Sequence, residues 1–213
     1  MTALTIAVVA KQCLPGRVKT RLTPPLRPEE AARLAQASLD DTLDLVRSIP
    51  AARRVLFFAG DAPTDAGDFD VLAQPDGGLD ERLGYLFDVI EGPLLLIGMD
   101  TPQLTPADLT GPATAWPGSV DAWFGPALDG GFWALAMREP DGSMIRGVRM
   151  SAPSTGREQR ARLAAGGQRV ADLATVRDVD HVEDVRHVAA LAPHGRFAAV
   201  WRDMQRTDTR RAG

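Results

Sequence analysis

The sequence predicts an α/β fold with a mostly parallel central sheet. Two observations carry that expectation. Strand-like runs alternate with helical patterns through the first hundred residues, and residues 94–98 (LLLIG) are apolar throughout. Alternation of this kind is the mark of βαβ units. A strand with no polar face belongs inside a sheet covered on both sides.

The elements follow in order. Residues 5–10 (TIAVVA) form a β-branched run that ends at Lys11 and the Pro15-Gly16 breaker, so a buried strand enters a loop. Pro28-Glu29-Glu30 brings proline to the first turn of a helix and acids to its positive end. Ala32, Ala35, Leu39, Leu43 and Val46 then recur at three- and four-residue steps and make one apolar face. Residues 55–59 read as a second strand, closed by Gly60-Asp61. Residues 81–91 place Leu83, Leu86, Phe87 and Ile90 on one helical face, ahead of the apolar strand. Residues 105–108 suit a short capped helix, and residues 120–124 and 132–137 read as strands flanking a glycine-rich turn. Two helices, 157–165 and 183–192, enclose a short strand near 170–176. A single domain is expected over residues 1–206, with the polar, arginine-rich 207–213 as a frayed tail.

The bulk composition narrows the function. With 213 residues, 45% hydrophobic and 24% charged, the chain can bury a core of useful size. Its net charge of -4 provides no global field for nucleic acid, so any anion it binds must be small and held by a local basic patch. No apolar run approaches the roughly 20 residues of a membrane span, and no secretory signal pattern opens the chain. The single Cys13 excludes an internal disulfide, and no Cys/His cluster offers a zinc site. A cytoplasmic enzyme or binding protein is expected. The sequence does not speak to oligomeric state.

Four segments carry chemistry. The densest is 10–22, where Lys11, Arg17, Lys19 and Arg21 follow the first strand directly, with Gly16 among them. Ligands of open α/β sheets bind beyond the carboxyl ends of strands. There, free backbone N–H groups, a glycine that permits close approach, and Lys and Arg side chains suit a phosphate. A solvated basic turn is the plainer alternative. The second is Gly98-Met99-Asp100-Thr101-Pro102 at the end of the apolar strand. Asp100 fits equally as a hard oxygen ligand for magnesium or as a turn residue before Pro102. The third is Asp129-Gly130-Gly131-Phe132-Trp133, which reads as a hairpin turn or, given its carboxylate and aromatic rings, as one wall of an acceptor or sugar pocket. The fourth is Asp178-Val179-Asp180, whose two carboxylates point the same way if extended and could share a cation, or cap the helix that follows. Residues 74–83 form a loop opening a helix, fully explained by turn chemistry, and His187 and His194 suit the surface.

In the order A-K-x-x-x-P-G-x-V-K-T-R-L, G-x-D-x-P-x-L, G-P-A-x-D-G-G-F and D-V-D, these segments resemble the glycosyltransferase-A-like bacterial family known as a domain of unknown function. That family sits within the nucleotide-diphospho-sugar transferase superfamily. The phospholactate and phosphoenolpyruvate guanylyltransferases look like relatives, sharing the K-T-R-L segment. The resemblance runs over residues 7–191 and implies a Rossmann-like α/β/α sandwich of GT-A type. By the same resemblance, Lys11, Arg17, Lys19 and Arg21 would hold phosphates, with Gly16 in their loop. Gln74, Gly78 and Leu79 would border the base. Asp100 with Asp180 would hold Mg2+ or Mn2+, while Gly130, Gly131 and Phe132 would line the acceptor side. Asp129 is the best-placed catalytic carboxylate. The expected activity is metal-dependent glycosyl transfer from a nucleotide sugar to a small-molecule acceptor. The alternatives are nucleotidyl transfer to a small phosphorylated acceptor and a non-catalytic nucleotide-binding accessory role. Two positions depart from the family pattern: His181 after D-V-D, and Asp80 after Leu79.

Overall fold

The computed structural model describes the backbone of residues 4–114 and 116–212 and side chains as far as Thr207. In chain order it contains β1 (Thr5–Lys11), α1 (Pro28–Ser48), β2 (Arg53–Ala59), β3 (Asp70–Ala73), α2 (Leu79–Val89), β4 (Leu94–Gly98) and α3 (Thr110–Thr114). There follow β5 (Ala122–Pro126), β6 (Phe132–Met137), α4 (Thr155–Ala165), β7 (Val170–Asp172), α5 (Val182–Leu191) and α6 (Arg196–Ala212).

Among the described residues seven strands form one sheet in the order β3-β2-β1-β4-β6-β5-β7. Only β6 runs against the others, pairing antiparallel with both β4 and β5. The sheet is therefore mostly parallel, as the alternation of elements predicts. The chain winds outward from β1 through β2 to β3, then returns through α2 to place β4 on the other side of β1. That reversal makes a switch point at the carboxyl ends of β1 and β4.

The apolar LLLIG strand is covered on both faces, and its alternation divides it between two cores. Leu95 and Ile97 pack with α1 beneath one face. Leu94 and Leu96 pack with Leu83, Leu86 and Phe87 of α2 and Leu163 of α4 on the other. Helix α1 starts as expected, with Pro28 in its first turn and Glu30 Oε2 accepting from the Arg27 N–H at 2.9 Å. It has a second buried stripe that the periodicity reading passed over. Ala31, Leu34 and Ala37 meet Val185 and Val188 of α5 and Phe197 and Met204 of α6.

Two elements differ from expectation. Strand β3 has no signature in the sequence, because its DVLA segment lies at the sheet edge with three of four residues exposed and shows no apolar alternation. Helix α6 runs as far as Ala212, through most of the stretch expected as a frayed tail. Its anchors Phe197, Val200, Trp201 and Met204 stand at helical steps against α1 and α5. Gly213, the last residue of that stretch, lies outside the described residues. Among the described residues no helix is long and apolar enough to cross a membrane.

Candidate functional site

The loop after β1 is held by two apolar anchors, which fix where its cations point. Val18 is buried in the core beneath the sheet, and Leu22 in the helical layer behind it. Between them Lys19 adopts a left-handed backbone (φ 48°, ψ 41°), uncommon for a residue with a side chain. The turn sends its side chain inward, leaving it 7% exposed, with Nζ 2.8 Å from Asp100 Oδ1 and 3.5 Å from Asp180 Oδ1. Burial alone would lower the affinity of the amine for its proton. The Asp100 carboxylate and its hydrogen bond, helped by Asp180 and Asp178, outweigh burial and hold the ammonium above its ordinary value. Arg21 Nη1 lies 2.6 Å from the other oxygen of Asp180. Arg17 and Gly16 are exposed and line neither of the two cavities described below.

The basic loop and the end of the LLLIG strand thus meet, together with the D-V-D segment. Their register explains the meeting. Val9 of β1 pairs with Gly98 of β4, so the loop after one strand and the turn after the other leave the sheet at the same edge, and Val179 N–H donates to Asp100 O at 3.1 Å, tying the third segment to the second. Ser38 of α1 donates from Oγ to Met99 O at 2.6 Å, a buried bond that fixes the peptide ahead of Asp100.

The Asp-Gly-Gly turn joins from the other side. Leu128 N–H donates to Val176 O at 3.0 Å, bringing Asp129 to the D-V-D segment. Gly130 has φ +90°, and a Cβ there would lie 2.2 Å from Pro153 O, so no other residue fits. Asp129, Asp178 and Asp180 each bring a carboxylate oxygen within 4.8 Å of the other two. Burial, then the charges of Asp129 and Asp180, push the Asp178 carboxyl up to about 6. Three hard oxygen donors under mutual repulsion suit a divalent cation such as Mg2+ or Mn2+. Asp100, expected as a ligand, is not one of the three. Its Oδ1 faces Lys19 instead.

These carboxylates stand between two cavities. One, of about 460 Å³, lies over the switch point and is lined by Lys11, Gln74, Leu79, Arg82, Asp100 and Phe132 among others. Thr101 also lines it, with a buried Oγ1 that has no hydrogen-bond partner. The other, of about 580 Å³, is lined by Arg21, Leu128, Arg177, His181 and Asp184. Asp129, Asp178 and Asp180 belong to both walls, as do Ser151 and Ala152.

The expected base-binding trio divides. Leu79 lines the smaller cavity and Gly78 lines neither. Gln74 faces the cavity, yet its Nε2 donates at 2.9 Å to both Ala10 O and Phe57 O, so its amide clamps two strand ends. Its Oε1 accepts from Arg82 Nη1 at 3.2 Å. Arg82 went unread because nothing in its helical context separates it from a surface arginine. Asp80, at one departure from the family pattern, accepts from Gly147 N–H at 2.9 Å. Gly131 and Phe132 line the smaller cavity, whereas Gly130 only shapes the turn.

The arrangement is that of the nucleotide-diphospho-sugar transferase fold. A crystal structure from Desulfovibrio desulfuricans G20, whose name assigns it provisionally to those enzymes, matches at TM-score 0.80 and 22% identity over 95% of each chain. A family model described as “Uncharacterized protein conserved in bacteria” (DUF2064) matches residues 42–152, just over half of the chain, and the protein belongs to that family. The fold is shared more distantly by a CMP:2-keto-3-deoxy-manno-octonic acid synthetase complexed with CTP (TM-score 0.56, 14% identity, 90% of this chain and 98% of that one). It is also shared by Rv0371c of Mycobacterium tuberculosis H37Rv in complex with manganese (TM-score 0.50, 21% identity, 88% and 98%). No curated protein matches the chain.

Proposed function

We propose that the protein is a metal-dependent transferase acting on a nucleotide-activated donor, with glycosyl transfer from a nucleotide sugar as the leading reaction. The observation that carries this is the carboxylate group of Asp129, Asp178 and Asp180 on the wall shared by two cavities, above the switch point of the sheet. The donor belongs in the smaller cavity, its phosphates near Lys11 and Arg82, its base over Leu79, and Thr101 Oγ1 free to bond it. Lys19 is too enclosed by Asp100 and Asp180 to meet a phosphate directly, and we assign it to fixing those two carboxylates. Asp178 and Asp180 would hold the ion, with Asp129 beside them. A bound Mg2+ or Mn2+ supplies charge neutralisation on the departing diphosphate. As the acceptor oxygen bonds the anomeric carbon, the carbon–oxygen bond to diphosphate breaks and the diphosphate leaves with the electron pair. The proton of the acceptor hydroxyl passes to Asp129, which lines both cavities. The manganese complex of Rv0371c supports the choice of ion. Calorimetry with UDP, GDP, CDP and their sugars, with and without Mn2+, should show binding that needs the ion. No heat with any of them would end this reading.

Nucleotidyl transfer is the second reading. It is favoured by the CTP complex of the synthetase above and by an inositol-1-phosphate CTP transferase of T. maritima with the same fold (TM-score 0.54, 11% identity). The smaller cavity would then take a triphosphate. Pyrophosphate released from CTP or GTP only when an acceptor is present would favour it over the first.

A further inference from the structure

We propose that the larger cavity binds an acceptor bearing a carboxylate or phosphate group, held by Arg21 and Arg177, and that this grip strengthens once the carboxylate cluster holds its divalent ion. The inference rests on the reading of the cluster as a metal site and names the class of molecule on its far side.

The side chains fit that chemistry. A guanidinium carries five N–H donors in a planar fork that matches an oxyanion. Arg21 directs only Nη1 to a carboxylate, that of Asp180, and its side chain is 62% exposed at the cavity. Arg177 directs Nη1 to Asp184 Oδ1 at 2.8 Å, while its Nε is buried without a hydrogen-bond partner. Arg177 is fixed from behind, since its carbonyl oxygen accepts from Gln103 Nε2. Asp184 is fixed too, its Oδ2 accepting from His181 N–H at 2.7 Å. Both guanidiniums therefore keep donors to spare, Arg177 the more firmly held of the two, and His181 lines the same wall.

Charge sets the order of events. The cavity wall carries two guanidiniums against the four carboxylates of Asp129, Asp178, Asp180 and Asp184. Without an ion this excess of negative charge repels an anion. One divalent cation in the cluster balances it, and the free guanidinium donors then decide. Coupling of this kind is reciprocal: whatever factor the ion adds to anion affinity, the anion adds to ion affinity. The metal itself thus reports on the anion.

Mn2+ is titrated calorimetrically into the full chain alone, with methyl phosphate, and with glycerate. The two arms separate a phosphate from a carboxylate acceptor. At least one anion should raise Mn2+ affinity by about fivefold or more, the lower end of typical coupling. Complexation of Mn2+ by the anion in solution works in the opposite direction and cannot mimic the gain. In Arg177→Gln, and separately in the solvent-facing Arg21→Gln, the gain should drop below about twofold. Circular dichroism of both variants confirms that they fold. A gain that survives in both variants overturns the proposal, as does one lost in Arg82→Gln instead, because the anion would then sit in the donor cavity. If Mn2+ and nucleotides bind but neither anion couples, this inference falls and the proposed function stands. If Mn2+ does not bind at all, both fall.

Discussion

The two halves of the sheet contribute opposite charges by different means. On the parallel side, β1 and β4 pair in register as far as Val9 and Gly98, and β1 runs on beside β2 to Lys11, which brings the basic loop to the rim on regular structure. On the far side, the carboxylates come from connections after β5 and β7, joined by the bond from Leu128 N–H to Val176 O. The first half is positioned by regular structure. The second is positioned by individual backbone bonds and one glycine. The cationic edge and the anionic edge are built separately and tied afterwards, by Lys19 between Asp100 and Asp180 and by the bond from Val179 N–H to Asp100 O.

Removing a ligand from the anionic edge should have the largest effect. Asp180→Ala is expected to weaken Mn2+ binding by on the order of 100-fold, because it takes one of three charged oxygens and frees Lys19 and Arg21 to repel the ion. An unchanged Mn2+ isotherm would show that the cluster is not the metal site. Next comes the turn. Gly130→Ala combines a positive φ with a contact on the Pro153 carbonyl and should cost about 2–3 kcal/mol of stability in urea unfolding. A loss below about 0.5 kcal/mol, the size of an ordinary surface change, would mean that the anionic edge is pliable at this turn.

The third test inverts the usual direction. The Asp178 carboxyl has its folded value raised to about 6, so its charged form is disfavoured by folding. That penalty is full above pH 6 and fades as pH falls toward the ordinary value of 3.8. Asp178→Asn should therefore stabilise the metal-free protein at pH 7.5 by about 1 kcal/mol, a figure reduced for partial solvation. In thermal melting that corresponds to about 2–4 °C for a chain of this size, and the gain should shrink to about a third near pH 4.5. An equal gain at both pH values would assign it to packing and not to charge. The smallest effect belongs to the cationic edge. Lys11→Gln removes one exposed charge and should weaken nucleotide binding by about three- to fivefold, less at high salt. A loss that ignores salt would contradict an electrostatic role.

This contrast also marks what was legible in the sequence. Register and alternation are local, so the LLLIG strand, its two-sided burial and the basic loop beside it could be read directly. The two-residue spacing of Asp178 and Asp180 was visible for the same reason. Their meeting with Asp129 was not, because it depends on a bond between residues 128 and 176, and no local pattern encodes it. Lys19 was legible as a cation but not as an enclosed one, since its inward turn comes from a left-handed backbone pinned by Val18 and Leu22. The resemblance sets Gln74 beside the base, and no local pattern shows that its amide donors serve the Ala10 and Phe57 carbonyls. The second face of α1 was hidden by alanines, which suit a helix anywhere and signal burial only once a partner is seen.

The bond from Leu128 to Val176 has a consequence for a chain still being made. A nascent polypeptide that has emerged only through residue 152, where the family match stops, already holds every cation of the donor edge. Of the three clustered carboxylates it has Asp129 alone, and one monodentate oxygen is a poor chelator of any divalent ion. At the proposed metal site, capture therefore waits until the chain has been made through Asp180 and that segment has docked on the Asp129 turn.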